Sequence, residues 1–336
     1  MNAHSGLRKI VLLFALAIAA AGALVWKLVT SLLPDRLVRS QGASGQRWSG
    51  AAAGVLPERS ALSSYSRPIR IALNLQDAPR AFSRSPSGWI WVAGGRELVA
   101  LSEEGVERAR FAMPAPVSAI AIDANGDIFT AMSNRIEVRD IRGKLLRTFA
   151  DLDEKAAIVS IAAGPAADEL FLADSGNAVI LRYTKAGRLL GRIGERDERR
   201  GIPGFVVPSP YFSIAVSADR LLYAANPGRH GIEVYSYDGN PVRSFYRPSM
   251  GMDGFAGCCN PACIALLDEG RILTVEKGIK RIKILSTAGE LLEVVADEES
   301  LAVNFLGDGA LAGGDGRLMV LDRAAREIIV FKGKKS

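Results

Sequence analysis

From about Arg70 to Phe331 one unit recurs, and this periodicity constrains the fold more than any single motif. The unit is a short apolar run, a polar turn, a second run, a polar loop, a third run, a glycine turn and a fourth run. Residues 115–152 show it most clearly. Val117-Ser118-Ala119-Ile120-Ala121-Ile122 ends at the turn Asp123-Ala124-Asn125-Gly126-Asp127. Ile128-Phe129-Thr130-Ala131 follows, then Arg135-Ile136-Glu137-Val138-Arg139, the turn Arg142-Gly143-Lys144, and Leu145-Leu146-Arg147-Thr148-Phe149. Other units begin near Pro79, Ala157, Ser213, Cys263 and Leu301. Their second runs are Trp89-Ile90-Trp91-Val92, Leu170-Phe171-Leu172-Ala173, Leu221-Leu222-Tyr223-Ala224, Ile272-Leu273-Thr274-Val275 and Ala310-Leu311-Ala312. Alternating runs of strand length, without helical period, predict an all-β chain. Four-stranded units repeating every ~40–50 residues close radially, which leaves only short protected edges. The expectation is a six-bladed β-propeller over residues 68–332. Counted from Leu301, the last unit supplies four strands of its own, and residues 70–75 are available to extend its outer edge.

Ahead of the repeat, Arg8-Lys9 precedes an uncharged apolar stretch over residues 10–26, which continues past Lys27 to Leu33. As a helix, residues 10–33 would exceed the ~30 Å hydrocarbon core at a rise of ~1.5 Å per residue. Trp26 and Lys27 suit the headgroup level. Small residues at 19–23 allow a rival reading as a cleaved signal peptide, but the apolar run continues beyond them, which favours an uncleaved anchor. The expected order is a cytoplasmic N-terminus (1–9), a transmembrane anchor (10–33), a Ser/Gly/Ala/Arg-rich linker (34–67), the propeller, and a basic tail (333–336). This places the propeller on the periplasmic side of a bacterial inner (cytoplasmic) membrane, attached in a single pass.

Only two histidines, His4 and His230, occur in 336 residues. A metal centre built on several imidazoles is therefore excluded for a monomer, and a Ser-His-Asp mechanism would have to use His230. The formal charge of +6 is scattered rather than gathered on one element with stacking aromatics, which argues against nucleic-acid binding. No cofactor is expected. A calcium site would have to draw on oxygens such as those of Glu276, Asn226 and Asn260.

The blade pattern, with Ala173-Asp174-Ser175-Gly176-Asn177 before a third strand, resembles NHL-repeat propellers over about three quarters of the chain. Pro208-Ser209-Pro210-Tyr211-Phe212, Asn226-Pro227-Gly228-Arg229-His230, Gly257-Cys258-Cys259-Asn260-Pro261 and Glu276-Lys277-Gly278 are similar to a bacterial, membrane-anchored NHL-like subgroup. The resemblance implies a fold and carries no reaction with it. Cys263 departs from that pattern.

Blade topology sorts these segments by face. The crossing into a first strand and the loop between strands two and three lie at one end, and the one–two and three–four turns at the other. Residues 208–212 and 257–261 are crossings. Residues 175–178, 226–230, 276–280 and 313–317 read as two–three loops, so every unusual segment is expected on one face. Loops on a rigid scaffold are where function usually sits. The candidate ligand-binding residues are Tyr211, Asn226, Arg229, His230, Cys258, Cys259, Asn260, Glu276 and Lys277.

Arg229 and His230 suit an anion, or else complete a solvated turn. Glu276 and Lys277 read as an interblade ion pair or as an acid–base group. Cys258 and Cys259 allow a vicinal disulfide, a redox pair or a structural staple. Three cysteines without C-x-x-C are a weak zinc signal. Two functional classes follow: a scaffold binding a protein or small anionic ligand through this face, and a redox or enzymatic propeller using Cys258 and Cys259.

Overall fold

The computed structural model describes residues 64–164, 168–302, 304–305, 307–313 and 315–334. The expected cytoplasmic N-terminus, the anchor at 10–33 and most of the linker lie outside these residues. Among the described residues there is no α-helix, and no helix long and apolar enough to cross a membrane. The fold is an all-β propeller of six four-stranded antiparallel sheets.

Blade one holds β2 (Pro79–Arg84), β3 (Ile90–Gly94), β4 (Glu97–Leu101) and β5 (Glu107–Ala112). Blade two holds β6 (Ala119–Ile122), β7 (Ile128–Met132), β8 (Arg135–Arg139) and β9 (Leu145–Thr148). Blade three runs from β10 (Ile158–Ala163) through β11 (Glu169–Asp174) and β12 (Val179–Thr184) to β13 (Leu189–Ile193). Blade four is β14 (Ile214–Val216), β15 (Leu221–Asn226), β16 (Gly231–Ser236) and β17 (Pro241–Tyr246). Blade five is β18 (Cys263–Leu266), β19 (Ile272–Glu276), β20 (Arg281–Leu285) and β21 (Leu291–Ala296).

The sixth blade corrects the sequence reading. Its inner strand is β22 (Gly307–Ala312), followed by β23 (Leu318–Asp322) and β24 (Glu327–Phe331), and its outer strand is β1 (Ile69–Ala72) from the start of the repeat. Ile69 pairs with Val330 and Ala72 with Glu327. The run at 310–312 is therefore part of a first strand, and Leu301 precedes the sheet altogether. The ring closes by joining the two ends of the repeat in one sheet. Tyr65 bridges Gly333, and the Lys334 N–H donates to the Ser64 carbonyl at 2.6 Å, so residues 64–67 and 333–334 continue this edge.

A buried contact between neighbouring blades recurs around the ring. The three–four turns carry glycines at positive φ: Gly105 (85°), Gly143 (82°), Gly187 (96°), Gly239 (77°) and Gly289 (81°). Each lies against an apolar side chain near the end of the previous outer strand: Ile71, Phe111, Phe149, Ile193 and Phe245 respectively. The left-handed turn favours glycine, and the neighbouring side chain crowds the place of a Cβ. In these five blades the three–four turn glycine thus also packs against the preceding blade.

Candidate functional site

The first strands line a central cavity of about 840 Å3 that opens among the interblade crossings. Hydrogen bonds prove that the crossings and two–three loops share this face. Val117 N–H donates to Gly95 O, Leu152 to Asn134 O, Ser175 to Ala157 O, Gly228 to Val206 O, and Arg247 to His230 O. Residues 175–178, 226–230 and 276–280 are two–three loops as expected. Residues 313–317 are not, because the sixth blade is shifted in phase: they form its one–two turn, on the other face. There Arg317 pairs with Glu103 at 2.6 Å, and Glu103 pairs with Arg84 at 2.5 Å.

The last residue of strand two latches the crossing that passes above it. Asp174 Oδ1 accepts from Ala157 N–H at 2.9 Å as well as from Gly176 and Asn177 of its own turn. Asn226 Oδ1 accepts from Val206 N–H at 3.0 Å, and its amide donates to Glu233 Oε1 at 2.6 Å. Glu233 also accepts from Tyr235 (2.5 Å) and Tyr246 (2.7 Å). Glu276 Oε2 accepts from Ala256 N–H at 3.3 Å. Asn260 accepts from Lys277 N–H at 3.0 Å and donates to the carbonyls of Lys277 (3.0 Å) and Ala256 (2.6 Å). Asn226, Asn260 and Glu276 are therefore buried braces of the loop face, with their oxygens committed to protein donors.

Glu276 does not pair with Lys277. Its partner is Lys283, at 2.6 Å, and both side chains are fully buried. The Lys283 ammonium also donates to Gly254 O (2.5 Å) and Met252 O (3.2 Å) and lies 4.6 Å from the Phe255 ring centroid. Burial pushes Lys283 below its ordinary value, opposed by Glu276. The pair fastens residues 250–256 onto blade five. Lys277 instead places its ammonium 4.0 Å from the centroid of Tyr211, a cation–π contact at the cavity mouth.

Tyr211 lines the cavity, and burial beside Asp308 pushes its phenol up to about 12. Arg229 and His230 are half-buried at the end of a 3-10 turn. Arg229 Nη2 donates to Pro203 O at 3.4 Å. The left-handed φ of His230 (56°) recurs at the same turn position in Ala178 (50°), Lys280 (47°) and Arg326 (56°), so it belongs to the four-residue loop rather than to a special site.

Cys258 is exposed and Cys259 buried, with their sulfurs 3.5 Å apart as free thiols. Cys263 plays another part. Ser160 accepts from Ile214 N–H (3.3 Å) and Ser213 from Ile264 N–H (3.1 Å), while Cys263 Sγ donates to Gly307 O (3.5 Å). All three tie one inner strand to the next at the same register, opposite Ala173, Ala225 and Val275. Burial and Asp308 push the Cys263 thiol strongly up. Among the described residues, no group of three or more His, Cys, Asp and Glu is placed to hold a metal ion.

Sequence reasoning missed Arg80, Asp308 and Arg323 at the cavity mouth. Asp308 and Arg323 were hidden by the phase error in blade six. Arg80 sits in an ordinary alternating strand, which nothing in the local sequence marks out.

No family model and no curated protein matches the sequence. Solved structures do. A catalytically inactive virginiamycin B lyase from Staphylococcus aureus, with quinupristin, aligns with TM-score 0.57 and 18% identity over 77% of this chain and 82% of that one. A streptogramin B lyase aligns with TM-score 0.53 and 14% identity over 79% and 97%. The WD40 propeller domain of Doa1 aligns with TM-score 0.55 and 12% identity over 76% and 79%. The propeller fold is shared with these lyases and with a WD40 domain; at such identities the likeness is one of fold alone.

Proposed function

We propose that the chain is a membrane-anchored, extracytoplasmic propeller of the NHL-like kind that binds a partner through the loop face. The observation carrying this reading is that its two long crossings, residues 194–213 and 247–262, both lie on that face and are braced from below. The braces are Asn226 with Glu233, Asn260, and Glu276 with Lys283. Such bracing lowers the ordering cost of association. The exposed apolar side chains of Val206 and Met250 lie on these crossings, and an acidic protein segment or small anion suits the neighbouring Arg229 and Lys277. Residues 10–33 supply the anchor in this reading.

Photo-crosslinking residues at positions 206 and 250, compared with positions 189 and 242 near three–four turns, test it in native membranes. Adducts of one defined mass from positions 206 and 250 alone support the reading, and equal or absent adducts refute it. The proximity of the Cys258 and Cys259 thiols favours a redox propeller as second reading. That reading requires turnover or partner reduction that is lost in Cys258→Ser.

A further inference from the structure

The cavity inside the ring has two chemically distinct parts. Its walls carry apolar inner-strand side chains such as Ile120, Val159, Ile161 and Leu311, interspersed with Ser83, Ser118, Ser160 and Ser213. Its mouth on one side carries Arg80 of β2, Asp308 of β22, Arg323 of the blade-six two–three loop, and Tyr211 from across the ring. Asp308 Oδ2 forms an ion pair with Nε of Arg323 at 2.6 Å, and Asp308 faces the Tyr211 hydroxyl. This contact holds the guanidinium of Arg323 in place, while burial pushes the Asp308 carboxyl above its ordinary value against the pull of Arg323. Arg80 is exposed to the cavity and has no hydrogen-bond or ion-pair partner among the described residues. The carboxylate of Asp77, also at the rim, is folded over the backbone of Gly95.

We propose that this cavity is a binding site for an amphiphilic carboxylate, whose apolar body fills the ring and whose carboxylate is held by Arg80 and Arg323. A cavity of about 840 Å3 falls within the ~300–1,000 Å3 usual for small-molecule sites. Apolar walls with a few convergent polar groups are the usual form of such a site. Planar guanidinium donors match a carboxylate bidentately. One guanidinium is already held by Asp308, and the other, Arg80, acts on Asp308 only through space and makes no direct hydrogen bond among the described residues, so its donors stay open to a ligand. A neutral ligand would leave Arg80 desolvated without compensation, and a bare small anion would leave the walls wet. The proposal goes beyond the loop-face reading, because it concerns the interior of the ring.

The test is equilibrium dialysis of 4-phenylbutyrate against the full chain in lipid nanodiscs, with empty nanodiscs as blank. The neutral probe is 4-phenylbutyramide and the bare anion is acetate. The expected result is saturable binding of one 4-phenylbutyrate per chain, at least tenfold weaker for the amide and for acetate. Arg80→Gln is expected to weaken it at least tenfold. Arg84→Gln, a guanidinium on the opposite face, is expected to leave it unchanged. Absence of saturable binding, equal affinity for acid and amide, or full affinity in a folded Arg80→Gln protein would each overturn the proposal. Loss of 4-phenylbutyrate binding while crosslinking from positions 206 and 250 persists would remove the cavity site and leave the loop-face reading intact.

Discussion

The ammonium of Lys283 stands 2.6 Å from Oε1 of Glu276, with both side chains sealed from solvent. An ion pair in that setting is costly to form and costlier to break, because removing one partner strands the other charge without water. Lys283→Met is expected to destabilise the protein by about 3–5 kcal/mol. The double variant Lys283→Met/Glu276→Leu is expected to recover part of that loss. Urea midpoints of the three proteins measure it. A Lys283→Met midpoint within error of the parent would show that the pair contributes nothing.

The same pair shows why part of the site was hidden in the sequence. Arg281-Ile282-Lys283-Ile284 reads as a half-buried strand with its charges outward, and for Arg281 that holds. Lys283 is covered only because residues 250–256, some thirty positions earlier, fold over it. Local periodicity carries no trace of that cover. The blade count, by contrast, rests on local signals repeated many times, such as the glycine turns at 143, 187, 239 and 289, and was legible. The phase of blade six was lost because its outer strand, Ile69–Ala72, lies at the far end of the repeat, so no adjacent run could set the count.

Those turn glycines give a sharper test of the repeat. A Cβ on Gly143 would stand 2.6 Å from the Phe111 ring, whereas one on Gly126 meets nothing within 4 Å. Both glycines have positive φ, 82° and 86°. Gly126→Ala is expected to cost only the backbone term of about 1–2 kcal/mol. Gly143→Ala is expected to cost at least about 1 kcal/mol more, because the Phe111 ring must shift within the packed blade junction. Thermal unfolding of both variants compares the two terms directly, and equal losses would mean that the glycine–aromatic contact carries no energy.

The three thiols are expected to react in order of exposure. Cys258 is open to solvent, Cys259 is buried beside it, and Cys263 is held protonated by burial. Alkylation of the native protein, followed by peptide mass mapping, is expected to label Cys258 first and Cys263 only after unfolding. Cys263→Ser is expected to change stability by less than about 1 kcal/mol, since serine fills the equivalent positions 160 and 213 and makes the same kind of tie. A large loss in Cys263→Ser would show that the sulfur does more than tie two inner strands.

Alkaline stability follows from the buried phenols. Burial pushes Tyr211, Tyr237 and Tyr246 up to about 12, and Tyr235 higher still through burial and its contact with Glu233. In the unfolded chain a tyrosine titrates near 10. Between these values the folded state keeps protons that the unfolded state has released. The contribution is therefore fully present below pH 10 and is lost as the pH rises toward 12. Phenolate absorbance and circular dichroism followed together are expected to show these tyrosines ionising with unfolding. Ionisation of all the phenols near pH 10, with circular dichroism unchanged, would contradict it.

Ring closure makes the last prediction. β1 supplies the outer strand of blade six, and Ile71, Leu73 and Leu75 are buried with Phe82, Leu321 and Ile328 between the last blade and the first. Without them, β24 becomes an unpaired edge and an apolar seam opens at the junction of the two ends. A chain beginning at residue 64 is expected to unfold in a single cooperative transition. One beginning at residue 76 is expected to lose that cooperativity or to aggregate, although it retains all of blades one to five. The point variant Ile71→Asp, which keeps the chain length, is expected to cost at least about 3 kcal/mol by burying an unpaired charge in the seam. Cooperative unfolding of the shorter chain at the midpoint of the longer one would mean that blades one to five hold the ring shut by themselves.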